Sequence, residues 1–233
     1  MTHWRKIHKY LGLLIGLQVL LWISGGLVMS ALPIEMVRGK HLLLSPPPLT
    51  AEQVRGIVSK VDPTRWRQLE WKIRLEQLIF KATDFAGSTS WLSPLSGNTI
   101  AELSPSQIKQ IARLRYAKHA AVKGIERLED LPFEVRHLSS PVYRVTFDDW
   151  ISTTFYLHPI SGEVSSVRSD IWRIYDFFWM LHIMDYETRD DFNHPLLIAV
   201  AAFSLFFTIS GIILLYFSLI RPLVKRRYYQ ARD

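Results

Sequence analysis

Eight histidines carry the widest chemical reach in this 233-residue chain. Five of them flank two long uncharged runs: His3, His8, His41, His182 and His194. His8 is followed by Gly12 and Gly16 at intervals of four, so all three project from one stripe of a helix. A neutral imidazole is a metal ligand and an axial ligand for haem iron. Bare glycine backbone beside it leaves room for a flat macrocycle. The same residues also read without chemistry: His8 as one more headgroup-level cation, and Gly12-x-x-x-Gly16 as a helix-packing motif. His182 falls on the apolar face of a short helix, where an imidazole is either a hydrogen-bonded core group or a ligand. His194 follows beside the second apolar run. His119, His137 and His158 read as fold or surface residues.

The chain has no cysteine, which excludes disulfides, thiolate-held zinc, iron–sulfur clusters and covalently attached c-type haem. Any metal must be held by His, carboxylate, carbonyl or Met. There is no Gly-rich phosphate loop, no HExxH helix, no Gly-x-Ser-x-Gly elbow and no flavin or nicotinamide fingerprint. Electrons for any reduction would therefore come from a partner or from the quinone pool. Asp185-Tyr186-Glu187-Thr188-Arg189-Asp190-Asp191 packs four carboxylates into seven residues. Such a cluster attracts a hard cation such as ferric iron, but a solvated loop is the plainer reading.

Two apolar runs must position these groups. Leu11–Leu32 holds 22 residues without a charge, and Pro195–Ile220 holds 26. At 1.5 Å per residue the shorter is roughly 33 Å long, enough to cross a hydrocarbon core of about 30 Å. A cleaved signal peptide is the alternative for the first run, since Val28-Met29-Ser30 is a tolerable cleavage context; its length favours a signal anchor. The formal charge of +7 lies wholly in the tails, with +3 in residues 1–10 and +4 in residues 221–233. Nucleic-acid binding would instead need a basic face on the folded domain. Basic flanks at both ends predict both termini in the cytoplasm. Gln18, four residues before Trp22 in the first run, is expected to bond another helix.

Between the runs, Ser45-Pro46-Pro47-Pro48 reads as a stiff linker, and then a pattern occurs twice. Leu49-Thr50-Ala51-Glu52-Gln53-Val54 matches Leu103-Ser104-Pro105-Ser106-Gln107-Ile108, each a capping-box helix start. Trp91-Leu92-Ser93-Pro94-Leu95-Ser96-Gly97-Asn98 matches Tyr156-Leu157-His158-Pro159-Ile160-Ser161-Gly162-Glu163, each a strand, a tight turn and a strand. His158 takes the place of Ser93, which argues against a ligand role. Leu69–Leu75, Leu78–Ala82, Phe133–His137 and Val142–Phe147 read as strands. Gln107–Leu128 reads as helical, with Gly124 as a breaker. Asp170 is expected to cap a helix over Ile171–Asp185, with Ile171, Tyr175, Phe178 and His182 on one face. Trp172 and Trp179 suit a headgroup region, so this helix is expected to lie on the outer membrane surface.

The order of short motifs along the whole chain resembles the PepSY-associated transmembrane family. Trp4-Arg5-Lys6-Ile7-His8-Lys9-Tyr10-Leu11-Gly12 with Ser24-Gly25 looks like its first span. The Pro-x-Ser-Gly hairpins look like PepSY modules. Met180-Leu181-His182, with Ser210-Gly211 inside the second run, looks like its second signature. The fold class expected is an α+β membrane protein, with two transmembrane helices flanking an extracytoplasmic tandem PepSY-like domain. The segments are a basic tail (1–10), a first span (11–32), a linker (33–48), repeats at 49–102 and 103–168, an interfacial helix and loop (170–194), a second span (195–220) and a basic tail (221–233).

The family includes haem-bearing inner-membrane reductases of ferric siderophores, usually with four spans. With two spans here, a homodimer forming a four-helix bundle would restore the number. The resemblance thus implies a bacterial inner-membrane b-type haem protein, two haems per dimer, with residues 33–194 periplasmic. It would pass electrons to an external acceptor such as ferric iron or a ferric siderophore, the activity of a ferric reductase. His8, beside Gly12 and Gly16, would ligate an inner haem, with its copy in a second chain or with His3. His182 and His194 would ligate an outer haem, with His41 in reserve. Inner and outer ligands cannot share an iron, because the span separates them by roughly 30 Å. The alternative function is a non-catalytic anchored module that binds or regulates an envelope peptidase or a respiratory complex; a third is a structural subunit of a larger redox assembly.

Overall fold

The computed structural model describes residues 2–46, 61–75 and 77–223. The first capping box, at Thr50 and Gln53, and the basic residues from Lys225 onward lie outside them. The fold is mixed α+β, with apolar helices at its two ends flanking antiparallel sheets. The longer helices among the described residues are α1 (Thr2–Ala31), α2 (Pro105–Arg115), α3 (Asp170–Ile183) and α4 (Pro195–Leu215). The chain divides into two compact units, one formed by its ends, up to Pro33 and from Ile174 onward, and one by Ile34–Arg173.

In the first unit, α1 and α4 are long and apolar enough to cross a membrane, over His3–Ala31 and Pro195–Leu223. The first basic segment is not a separate tail: helical hydrogen bonding starts at Thr2 and carries Arg5, Lys6 and Lys9 on the first turns of α1. α4 starts with Pro195 in its first turn and ends by widening into a π-helical turn over Tyr216–Ile220. α3 is shorter than its apolar pattern suggests. It stops at Ile183, because Met184 takes a left-handed φ of 58°. Its N-terminal cap is Ser169, whose Oγ accepts from the Trp172 amide at 3.4 Å, while Asp170 pairs with Arg173 instead.

The second unit holds a three-stranded sheet, β1 (Gln68–Arg74), β2 (Gln77–Thr83) and β3 (Thr89–Leu92). Its four-stranded sheet is β4 (Val122–Leu128), β5 (Val142–Phe147), β6 (Thr154–Leu157) and β7 (Val164–Arg168). Strict alternation in β5 sends Tyr143, Val145 and Phe147 to one face, where they meet Ile108, Ile111 and Ala112 of α2 and Phe155 and Leu157 of β6. Val142 and Tyr156 turn to the other face and pack with Val135. The box that starts α2 is complete: the Gln107 amide donates to Ser104 Oγ, and the Ser104 amide to Gln107 Oε1 at 2.9 Å.

Three local expectations are corrected. The helix expected over Gln107–Leu128 ends at Arg115, because Tyr116 turns extended to stack on Phe147 at 4.1 Å and to pair with Leu43. Gly124 therefore lies in a strand, and Val122–Leu128 pairs with β5. Phe133–His137 is not a strand. Phe133–Val135 is a single 3-10 turn that aims Glu134 at the Tyr156 hydroxyl (2.7 Å) and at Arg173 (3.0 Å). Nor is the described part of that segment, 33–46, merely a linker: Leu42 is fully buried in the main core, and the Leu44 amide bonds Arg115 O at 2.8 Å.

The two repeated hairpins form the same turn. The Ser93 amide donates to Asn98 O and the His158 amide to Glu163 O, both at 2.9 Å. Gly97 and Gly162 sit at φ of 73° and 70°. After the turn they diverge: β6 continues into β7, whereas β3 meets only a bridge at Thr99. His158 Nδ1 accepts from the Ile160 and Ser161 amides, both at 3.2 Å, so the ring is neutral with its proton on Nε2. Burial holds its pKa below the ordinary 6.5, against the opposing pull of Glu163. The folded state thus resists a proton that the unfolded chain accepts. Stability is expected to be flat above pH 6.5 and to fall as pH drops from there toward the lowered value. His158→Asn, whose amide oxygen accepts the same bonds, should flatten that window in melting curves; an unchanged slope would assign it to another group.

Candidate functional site

The candidate site is built wholly from the helical unit. His8 Nδ1 lies 2.8 Å from Ser210 Oγ, and Ser210 Oγ donates its one proton to Phe207 O at 2.7 Å. The imidazole is therefore the donor in the first bond and carries its proton on Nδ1. Its Nε2 lone pair is left available, the arrangement in which a hydrogen-bonded histidine ligates a metal. The ring is stacked on Phe207, with centroids 4.3 Å apart and planes 9° from parallel. A side chain on Gly211 would come within 3.2 Å of the imidazole, so the glycine of Ser210-Gly211 is what lets His8 approach α4.

The two glycines on the His8 stripe behave differently. Added bulk at Gly12 would meet Phe207 at 3.0 Å, so the space expected there for a macrocycle holds a phenyl ring. Gly16 has open space beside it. His3 is exposed on the first turns of α1, and no described contact brings it to His8.

A second imidazole sits at the other end of α1. His182, on the last turn of α3, faces Gly25, where an added Cβ would lie 3.8 Å from Nδ1 and 3.4 Å from Phe178 O. Its Nδ1 is buried with no hydrogen-bond partner among the described residues. Such an orphan costs about 1–3 kcal/mol in an apolar surround and calls for an explanation. Two α1 side chains hold this turn: Gln18 Nε2 donates to Leu181 O at 3.0 Å, and Trp22 Nε1 to His182 O at 2.7 Å. They supply donors to carbonyls that a helix end leaves unpaired. The end of α3 docks on α1. Gln18 does bond another helix.

The two sites share a plan. Each sets a histidine of one helix against the glycine of a Ser-Gly pair on another, His8 on Ser210-Gly211 and His182 on Ser24-Gly25. Along α1 the levels of His8 and Gly25 are roughly 25 Å apart.

His194 is engaged elsewhere. It caps α4, its Nδ1 accepting from the Leu197 amide at 3.4 Å while Nε2 donates to Ile183 O at 2.9 Å. With both nitrogens in use, the ring offers iron no lone pair in this conformation, and the pair expected with His182 is not assembled. His41 is exposed on the Lys40–Leu42 turn of the other unit. The acidic loop is organised by Asp185, whose carboxylate accepts from the amides of Glu187, Thr188, Asp190 and Asp191. The Thr188 hydroxyl leads in holding its pKa well below the usual range. Among the described residues no three His, Asp or Glu side chains gather to hold a metal ion.

Sequence reasoning missed Phe207 as the ring against His8, and Trp22 and Gly25 as the seat of His182. Both Ser-Gly pairs were visible as motifs; which histidine each receives was not. Comparison with family models, with curated proteins and with solved structures finds no match to this chain.

Proposed function

We propose that this chain is a two-span inner-membrane protein of the PepSY-associated type that carries b-type haem and passes electrons outward to an acceptor such as ferric iron or a ferric siderophore. The observation that carries the reading is the repeated histidine-on-glycine seat at two levels of the helical unit. His8 fits the role of an axial ligand because Ser210 leaves its Nε2 lone pair available. His182 fits it because its buried Nδ1 has no partner among the described residues. Bound haem would supply one-electron redox chemistry; His8 and His182 would hold it, and Ser210 and Trp22 would orient the ligands. A second copy of the chain would bring a second His8 and a second His182, one per level, and make a four-helix bundle. The basic residues at the start of α1 and after α4 favour cytoplasmic termini and a periplasmic domain.

The test is the visible spectrum of the full-length protein purified in detergent. A Soret band that shifts on dithionite reduction is expected. A flat spectrum after haem supplementation would end the redox reading.

A recognition role is favoured by one observation: Trp150, at the tip of the β5–β6 connection, is 82% exposed. An anchored module that binds an envelope peptidase or a respiratory complex would use such a residue. Trp150→Ala would then abolish co-purification of the partner and leave any haem spectrum unchanged.

A further inference from the structure

Resting on the two-span reading, we propose that the outer edge of the bilayer's hydrocarbon core lies at the level shared by Trp22, His182 and His194. The core then covers Trp4–Trp22 of α1 and Leu196–Leu214 of α4. The last turns of α1, from Ile23 onward, stand outside it beside the end of α3.

Cross-helix contacts set the register. His8 meets Ser210 and Gly211, and Gly12 meets Phe207, so α1 and α4 run antiparallel with residue 8 level with residue 210. Equal rise along both helices places Trp22 level with Leu196. Contacts at the other end agree: Trp22 reaches His182 O, and His194 reaches Ile183 O. Trp4–Trp22 and Leu196–Leu214 each span roughly 27 Å, close to the hydrocarbon thickness of about 30 Å. Aromatic residues mark both edges, Trp22 at the outer one and Trp4, Tyr216 and Phe217 at the inner one, as interfacial belts do.

Charge decides against the boundaries read from hydropathy. A slab over 11–32 would draw the outer edge ten residues further along α1, roughly 15 Å. The chain between α3 and α4 would then be submerged, with Asp185, Glu187, Asp190 and Asp191 in it. Carboxylates at that depth are strongly disfavoured. The proposed slab submerges three basic residues, Arg5, Lys6 and Lys9, the deepest roughly 7 Å inside the Trp4 level, where long basic stems reach back to the headgroups. The part of α1 left outside contains Ser24, Gly25, Gly26 and Ser30. His182 thereby lies at the water-facing edge, while His8 stays roughly 6 Å inside the inner edge.

The absence of cysteine makes the test direct. Leu13, Leu20 and Leu27 are seven residues apart on one stripe of α1 and are 81%, 59% and 70% exposed. Lateral cover would therefore affect all three alike, and they differ only in depth. Single variants Leu13→Cys, Leu20→Cys and Leu27→Cys of the full chain are treated, in right-side-out spheroplasts, with a membrane-impermeant maleimide. Thiolate forms in water and not in hydrocarbon, so Leu27→Cys is expected to react at least about tenfold faster than the other two. Leu27→Cys protected as fully as Leu20→Cys would overturn the boundary and restore 11–32. Rapid labelling at all three positions would overturn the two-span reading together with the boundary.

Discussion

On the proposed haem reading, purified His8→Ala protein is expected to lose the inner-level haem and keep roughly half of the haem per chain, since an axial imidazole is the iron's main attachment to the protein. The remaining haem should keep the spectrum of the outer level, because His182 is fixed by Gln18 and Trp22, at the far end of α1. Ser210→Ala offers a graded companion. It leaves the imidazole in place but removes the acceptor that holds the proton on Nδ1. Loss of a hydrogen bond behind a ligand typically weakens metal affinity about 10–100-fold. A pyridine haemochrome assay gives the ratio of haem to protein, and haem titration gives the affinity. Wild-type haem content in His8→Ala would remove His8 from the site. Equal loss at both levels would point to collapse of the helical unit instead.

Gly162→Ala is expected to be among the most damaging single-methyl additions in the second unit. Two independent strains combine there. The residue sits at φ 70°, where a Cβ clashes with its own backbone, at a cost of about 1–2 kcal/mol. That Cβ would also lie 2.4 Å from Ile111 Cδ1 and 3.0 Å from Leu103 Cδ1, and overpacking of a filled core costs about 1–3 kcal/mol. Together they give roughly 2–5 kcal/mol, a fall in Tm of about 4–20 °C for a chain of this size. Thermal melting of the full chain by circular dichroism measures it. Adding Ile111→Val removes the offending Cδ1 and should restore the packing part while leaving the backbone part. A Tm within about 1 °C of wild type for Gly162→Ala would show that the hairpin shifts away from α2 at little cost.

Gly162 also shows how far sequence reaches. Its turn was legible, because Pro159, Ser161 and Gly162 are residues that a tight hairpin demands. The positive φ followed from that. Its second constraint was not legible: Ile111 lies on α2, and only the packed fold brings it there. The same division runs through the rest of the second unit. The alternation in Val142–Phe147 and the capping box at Ser104 are local signals, and each formed the element it indicated. Gln107–Leu128 and Phe133–His137 were misread because distant partners overrode local pattern. Tyr116 leaves its helix to stack on Phe147, and Glu134 turns inward to meet Tyr156 and Arg173.

By itself the sequence determined the apolar segments, their basic flanks, the repeated turns and the set of histidines that chemistry could use, because composition, periodicity and turn residues act over a few neighbours. Tertiary structure decided what each histidine does. Ser210 sets the tautomer of His8 from two hundred residues away. The Ile183 carbonyl and the Leu197 amide draw His194 into a cap. Burial against Gly25 strands His182 Nδ1 without a partner. An imidazole's role depends on what each of its two nitrogens meets, and those partners lie on other elements.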